Sequence, residues 1–192
     1  MKNKQELIEK AWKKRQGNKE LLSFFVDIMP KALDAERCSI FILDPLKKDA
    51  WIHCGTGLSE KQVSVPLNSS LAGRAIDRGI AIIENDMQEH VGSHDLVAMR
   101  TGFVTHNAIC VPIFGVTRKR TTGAIQVLNK TIRKRFSESD KNSLEKLAFL
   151  LQMNIENIFV RQELGRMLIE MKKQIDFLEN KIQHRGLFDL SR

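Results

Sequence analysis

The sequence predicts an α+β fold: a central antiparallel sheet of about six strands with helices on one side, followed by a long C-terminal coiled-coil helix. Two observations lead to this fold. Short apolar runs of strand length, separated by turn residues, fill the middle of the 192-residue chain. Apolar residues at spacings of three and four fill both ends, and this spacing is typical of amphipathic helices.

The N-terminal segment, residues 1–34, is predicted to be helical. A first apolar stripe runs from Leu7 to Trp12, and a second runs from Leu21 to Met29, just before Pro30. After Arg37 the apolar spacing shortens to that of a strand.

Six strands are predicted in the middle of the chain. They share apolar or β-branched side chains and end at turn residues, and they cover residues 38–43, 49–54, 63–66, 80–83, 107–114 and 122–128. A short helix is predicted between the third and fourth strands, capped by Ser69 or Ser70 and ending at Gly79. The polar residues 84–104 then form a loop long enough to have a functional role.

From Ser137 the chain is predicted to be helical almost to its end. Between Leu164 and Ile182 apolar residues alternate by four and three, and their phase differs from the upstream pattern across Gly165. These heptads have no local partner, so we expect a parallel two-stranded coiled coil and a homodimer joined through its N- and C-terminal helices.

The chain therefore divides into four predicted segments. They are N-terminal helices over 1–34, a globular domain over 35–160, a coiled-coil helix over 161–185 and the start of a further domain over 186–192.

Composition narrows the function classes. The net charge is +8, but seven basic and no acidic side chains lie within residues 118–135, on either side of an apolar run. This pattern lacks the long basic stripe with interleaved aromatics of a nucleic-acid groove, so no nucleic-acid partner is expected. No apolar stretch is long enough to span a membrane, and the three scattered cysteines favour a reduced, cytoplasmic protein without a metal site.

Three stretches carry a family resemblance: Cys38–Asp44, Leu71–Ala75 and Asn107–Ile113. Together with the order of the predicted elements, they resemble a GAF domain. Such a domain implies a ligand pocket over one face of the sheet, closed by the loop of residues 84–104.

A second motif resembles a GAF subclass. Asn129-Lys130, then Phe136 and Asp140, is similar to the Asn-Lys…Phe-x-x-x-Asp-Glu signature of cyclic-nucleotide-binding GAF domains in phosphodiesterases and cyanobacterial adenylate cyclases. Lys141 stands where that signature has Glu. The resemblance implies a structural latch in which Lys130 reaches Asp140 and ties the end of a strand to the last helix.

The resemblance also implies residues around a purine base. Ser39 matches a base-contacting serine, His53 matches a stacking aromatic, and Cys54, Ala98 and Gln126 match positions that are acidic in cGMP-preferring members. Guanine presents two donors that favour a carboxylate, whereas the Gln126 amide offers a donor and an acceptor together, as adenine does. The expected ligand is therefore cAMP rather than cGMP, and no further cofactor is expected.

Around the phosphate, the resemblance implies backbone donors at Leu71 and Ala72 and polar contacts from Thr101 and Thr105. A capped helix start also suits an anion on physical grounds, because its first amides are unpaired and the helix dipole is positive there.

These features predict a regulatory module rather than an enzyme. The sequence has no lysine-bearing phosphate loop, no pair of catalytic carboxylates near a histidine and no serine nucleophile turn. Ligand binding is expected to act through the coiled coil on an output domain, with a nucleotide cyclase or diguanylate cyclase as the expectation from the resemblance. GAF proteins that reduce free methionine sulfoxide use cysteines near this loop, and residues 84–104 contain none.

Other interpretations remain open at this point. The domain could sense a different small molecule, or it could be a dimerisation module without a ligand. Cys38, Cys54 and Cys110 fit core positions better than reactive ones. His90 and His94 fit a loop surface better than a metal site, because Gly92 and Ser93 separate them.

Overall fold

The computed structural model describes residues 20–44, 47–58, 63–87, 102–117, 119–132 and 135–189, with side chains in the last range described to residue 181. The described helices are α1 over residues 20–32, α2 (Leu71–Arg78) and α3 (Glu138–Asp189). The strands are β1 (Ala35–Asp44), β2 (Asp49–Gly55), β3 (Ser64–Pro66), β4 (Ile82–Glu84), β5 (Ala108–Phe114) and β6 (Thr121–Lys130).

The six strands form one antiparallel sheet in the order β3-β2-β1-β6-β5-β4. The predicted α+β class, with its six-stranded sheet and long C-terminal helix, is confirmed. The long strands β1 and β6 are neighbours at the centre, and their side chains are mostly buried on both faces. The centre of the sheet is therefore the most constrained part of the fold.

Helix α2 lies on one face of this sheet. Its side chains Leu71, Ala72 and Ile76 form an apolar cluster with residues that include Phe41 of β1. The first turns of α3 lie against the opposite face, where Ile155 comes close to Gly123 of β6. Side chains of each strand alternate between these two faces.

The ends of α2 are those that the sequence predicts. Ser70 is the N-cap, and its hydroxyl accepts a hydrogen bond of 2.9 Å from the Gly73 N–H. Gly79 ends the helix with a φ of 64°, which glycine adopts at little cost. After this turn Ile80 is exposed and β4 begins only at Ile82, so the fourth strand starts later than predicted.

Helix α3 is 52 residues long and continues without interruption through Gly165. The change of heptad phase there therefore leaves the backbone helical. The contacts divide the chain into two compact units, Met1–Glu156 and Asn157–Arg192. None of the described helices is both long enough and apolar enough to cross a membrane.

We predict that Gly73→Ala destabilises the domain by about 1–3 kcal/mol. A Cβ at this position would lie 2.3 Å from the Pro66 carbonyl oxygen and 2.4 Å from Leu67 Cα, and both are backbone atoms. Urea unfolding followed by circular dichroism measures the change. The control is Gly165→Ala, where a Cβ meets nothing within 4 Å and the stability should rise by up to about 1 kcal/mol. Equal stability of Gly73→Ala and the wild type would contradict this packing.

Candidate functional site

Asn129, near the end of β6, holds the segment that leads into β5. Its backbone is left-handed, with a φ of 56°, and its side chain is buried. The Oδ1 atom accepts a hydrogen bond of 2.7 Å from the His106 N–H, and Nδ2 donates to the Val104 carbonyl at 2.9 Å and to a Glu36 carboxylate oxygen at 3.0 Å. One amide thus joins β6, β1 and the end of the 84–104 loop.

Lys130 forms the predicted latch. Its Nζ lies 2.7 Å from Asp140 Oδ1, and the two side chains are only 9% and 12% exposed. The same ammonium donates to the Leu33 carbonyl at 3.0 Å and lies 5.7 Å from the centre of the Phe136 ring. The predicted contact is confirmed, and its burial makes the loss of either partner more costly than in an ordinary surface ion pair.

Asp140 also caps helix α3. Its Oδ2 accepts hydrogen bonds of 2.8 Å from the Ser137 N–H and from the Ser137 hydroxyl. Burial by itself would raise the pKa of this carboxyl group, but the hydrogen bonds from Lys130 and Ser137 hold the pKa below its ordinary value. The charge of Asp140 therefore stabilises the fold at neutral pH.

The other end of the 84–104 loop is tied to the same region. Asn85 and Phe136 exchange two hydrogen bonds, from the Phe136 N–H to Asn85 Oδ1 at 2.7 Å and from Asn85 Nδ2 to the Phe136 carbonyl at 3.2 Å. The Met87 N–H donates to the His106 carbonyl at 2.9 Å, which joins the two ends of the loop. Both ends are thus fixed close to the start of α3.

A row of polar side chains crosses the centre of the sheet on the face covered by α2. Ser39 of β1 is paired with Gln126 of β6, and Gln126 is paired with Cys110 of β5. Paired residues of antiparallel strands project to the same face, and Cys110 belongs to the cluster under α2. Two predicted binding residues, Ser39 and Gln126, are therefore direct neighbours.

Ser39 is the most informative member of this row. It is 5% exposed, and among the residues that the structure describes its hydroxyl has no hydrogen-bond partner. The half-buried Gln126 amide likewise has none in the described part of the chain. Both side chains therefore have hydrogen-bonding capacity that a polar ligand could use.

The structure corrects the expected positions of His53 and Cys54. The β1–β2 register shifts at a bulge, so that Cys54 is paired with Ile40, whose side chain projects away from α2. The His53 ring packs edge-on against Trp51 at 5.7 Å between ring centres, and Trp51 is paired with Ile42 on that same opposite face. Neither residue lies beside Ser39 and Gln126, so His53 is not placed to stack on a base there.

The remaining predicted residues are placed as follows. The side chains of Leu71 and Ala72 are buried in the apolar cluster, and neither backbone N–H donates to another group in the described ranges. Thr105 is half-buried in the segment that Asn129 holds. Ala98, Thr101, His90 and His94 lie outside the described residues.

The cysteines fit the predicted core role. All three are unbridged and buried. Burial raises the pKa of the Cys38 and Cys110 thiols, so both are protonated at neutral pH. Within the residues that could be searched, no group of histidine, cysteine and carboxylate side chains is arranged to hold a metal ion.

Sequence reasoning missed Arg37 and Phe103. The Arg37 guanidinium carbon lies 3.8 Å from the centre of the Phe103 ring. Arg37 is paired with Leu128, which packs against the cluster under α2, so the arginine projects on the same face as Ser39. An arginine at the start of an apolar run gives no sign in the sequence that it faces inward.

Comparisons with known proteins agree with this architecture. A family model described as GAF domain matches residues 18–156. The GAF domain of an Acinetobacter phosphoenolpyruvate-protein phosphotransferase is 21% identical, with a TM-score of 0.62 over 76% of this chain and 86% of that one. The GAF domain region of a putative membrane protein from Geobacter sulfurreducens is 16% identical, with a TM-score of 0.61 over 77% of this chain and 98% of that one.

An enzyme shares the same fold. The free methionine-R-sulfoxide reductase of Neisseria meningitidis, solved in complex with its substrate, is 19% identical, with a TM-score of 0.59 over 76% of this chain and 81% of that one. The expectation that this chain is regulatory and not an enzyme was therefore wrong as an inference from its fold, because the fold also supports catalysis. At these identities the similarity shows the fold, and it does not show the cyclic-nucleotide subclass.

We predict that Asp140→Asn destabilises the domain by about 1–3 kcal/mol at pH 7, because it leaves the buried Lys130 ammonium without its counter-charge. The pKa of Asp140 is lower in the folded protein than its ordinary value of 3.8. The wild type should therefore keep its full advantage over the variant above that value and lose it as the pH falls through the folded-state pKa.

Urea unfolding at a series of pH values measures this difference. The control is Glu138→Gln in the same helical turn, where the exposed carboxylate contributes little. A difference between wild type and Asp140→Asn that persists unchanged at low pH would show that the carboxylate charge is not the cause.

Proposed function

The chain belongs to the GAF domain family, and from this premise we propose that it binds a small organic molecule on the α2-covered face of its sheet. One observation carries the proposal: Ser39, which is 5% exposed, and the half-buried Gln126 are neighbours, and neither side chain has a hydrogen-bond partner among the described residues. A ligand that hydrogen-bonds to both side chains uses donors and acceptors that the described residues leave unpaired.

The first candidate ligand is cAMP. The Gln126 amide offers a donor and an acceptor that complement the edge of adenine, and Ser39 adds a hydroxyl beside it. The row holds no carboxylate that would favour the two donors of guanine, which supports cAMP over cGMP.

A second candidate is another small metabolite, such as a free amino acid derivative. The observation that favours it is the position of His53 on the opposite face, which removes the expected stacking partner of a purine. Free methionine-R-sulfoxide, named for the similar Neisseria enzyme, is a molecule of this size class.

We also propose how binding is transmitted. Both ends of the 84–104 loop are bonded to the β6–α3 junction, through Asn129 at one end and through Asn85 with Phe136 at the other. A ligand that contacts this loop therefore acts through Asn85 on Phe136, two positions before the start of α3, and through Val104 and His106 on Asn129 near the end of β6. The proposed recipient is an output domain after the helix, with a nucleotide or diguanylate cyclase as the expectation, in a cytoplasmic protein.

A homodimer is the proposed assembly. In the unit that begins at Asn157, five apolar side chains at spacings of four and three are each at least half exposed: Leu164, Leu168, Met171, Ile175 and Leu178. A parallel coiled coil with a second copy buries this stripe. In the other unit, the α3 side chains Phe149, Leu150 and Met153 are also exposed.

We predict that Ser39→Ala and Gln126→Leu each weaken ligand binding about tenfold, which is the effect of one lost hydrogen bond. Titration calorimetry with cAMP and cGMP measures the affinities, with tighter binding of cAMP expected. Mass spectrometry of the supernatant from denatured protein identifies any ligand that is carried through purification.

The matched control is Ser69→Ala, which removes an exposed hydroxyl that lies outside the polar row. An unchanged affinity in both Ser39→Ala and Gln126→Leu would place the ligand elsewhere. Tighter binding of cGMP would contradict the preference for cAMP and would leave the position of the site unaffected.

We predict that Leu168→Glu raises the dimer dissociation constant at least tenfold, because it places a like charge pair in the apolar seam (about 1.4 kcal/mol or more). Sedimentation velocity over a range of concentrations measures the effect. The control is Ile169→Glu, which alters an equally exposed apolar residue outside the repeat. Equal effects of the two substitutions would contradict the coiled coil.

A further inference from the structure

We infer that the ligand of this site carries an anionic group, a carboxylate or a phosphate, and that Arg37 binds it. The inference rests on the proposed function for the location of the ligand. Arg37 is the binding residue that it adds for the anionic group, and the sequence alone does not indicate it.

Arg37 lies on the ligand-facing side of the sheet. Residues 37, 39 and 41 of β1 alternate onto one face, where Phe41 joins the cluster under α2. Arg37 is paired with Leu128, and Ser39 with Gln126, so the two pairs form adjacent rows. Adjacent rows are about 7 Å apart along a strand, a distance that a single small ligand spans.

The guanidinium group is held in place but is not neutralised. It stacks on the Phe103 ring at 3.8 Å, and within the described ranges it has no carboxylate partner. The neighbouring Glu36 carboxylate accepts from Asn129 instead. Stacking uses the flat face of a guanidinium and leaves its N–H groups free, in the plane where they bind a carboxylate or phosphate.

The other charges on this face do not compensate Arg37. Glu84 is paired with Ala108, in the row that also holds Leu128 and Arg37, and its carboxylate forms an ion pair with Arg74 of α2. The Nε atom of Arg74 is buried and has no hydrogen-bond partner in the described structure. Among the described residues of this face, Arg74 therefore matches the Glu84 carboxylate, and Arg37 is a cation with no carboxylate beside it, which favours an anion.

Phe103 is positioned by the same contacts that fix the loop. Asn129 bonds to the Val104 carbonyl and to the His106 N–H, so the chain that follows Phe103 is attached to β6. The ring is thus a supported platform, and the orientation of the Arg37 guanidinium is set before a ligand arrives. Such preorganisation reduces the entropy cost of binding.

The experiment compares probes that carry an anionic group with analogues that lack it. The pairs are cAMP with adenosine, and L-methionine-R-sulfoxide with its carboxamide, each titrated into the full chain by calorimetry. We expect the wild type to bind the member with the phosphate or carboxylate about 10- to 100-fold more tightly in at least one pair, which is the range of a charge-assisted hydrogen bond. The pair that shows this preference distinguishes a phosphate from a carboxylate.

Three variants assign the effect to Arg37. In Arg37→Gln the preference for the probe with the anionic group should disappear, while the affinity for the analogue that lacks this group stays unchanged. Arg37→Lys should restore part of the preference, because it keeps the charge without the planar fork. Arg161→Gln, which removes an exposed arginine of α3, is the matched control and should behave as the wild type.

The outcomes separate the inference from the proposed function. Equal affinity of wild type and Arg37→Gln for an anionic probe overturns the inference and leaves the ligand site intact. If no organic probe binds the wild type, cAMP and methionine sulfoxide are excluded as ligands. The anion site is then tested by titrating inorganic phosphate while the NMR signal of the Arg37 Nε–H is followed. A saturable shift of that signal, absent for Arg161, supports the anion site, and no shift overturns it.

Discussion

The buried ion pair between Lys130 and Asp140 is the interaction on which the rest of the structure depends. Two charges with about a tenth of their side-chain surface exposed are costly unless they meet each other and further hydrogen-bond partners. Asp140 accepts hydrogen bonds from the N–H and the hydroxyl of Ser137, and Lys130 donates one to the Leu33 carbonyl at the end of α1. The electrostatic requirement therefore brings the central strand β6, the turn between α1 and β1, and the start of α3 to one point.

The geometry of the proposed binding face depends on the same contacts. Asn129 precedes Lys130 and, in its left-handed conformation, directs its amide to Val104 and His106. The segment that carries Phe103 is thereby attached to the end of β6, to which the start of α3 is also attached. The Arg37 guanidinium stacks on Phe103 and is positioned by the same contacts. Each of these hydrogen bonds contributes about 1 kcal/mol, and a coupling of about 1–3 kcal/mol between two sites is enough for regulation. A few hydrogen bonds at one strand end are thus enough to couple the proposed ligand site to α3.

The local sequence pattern predicted the helices and strands of the fold. Which of the predicted site residues lie side by side depends on how the strands pair, and the sequence pattern does not contain that register. Ser70 and Gly79 predicted the limits of α2 because capping and left-handed turns depend on one or two residues. Ser39 and Gln126 meet because β1 and β6 are paired along their length. The bulge that moves Cys54 to the other face depends on the pairing of two strands, and no local pattern records it. Arg37 was not predicted for the same reason, because its position on the α2-covered face follows from its pairing with Leu128.

The chemistry available on the α2-covered face follows from which side chains the register places there. Its one thiol in the described residues is Cys110, and burial raises the pKa of that thiol, so it is not ionised at neutral pH. What the face offers is a hydroxyl, an amide and a guanidinium beside an apolar cluster. The cluster favours any apolar surface, whereas the three polar groups favour only a molecule that satisfies them together, because each group left unpaired costs free energy. The selectivity that we propose for this site therefore comes from the spacing of Arg37, Ser39 and Gln126, which the central pair of strands sets.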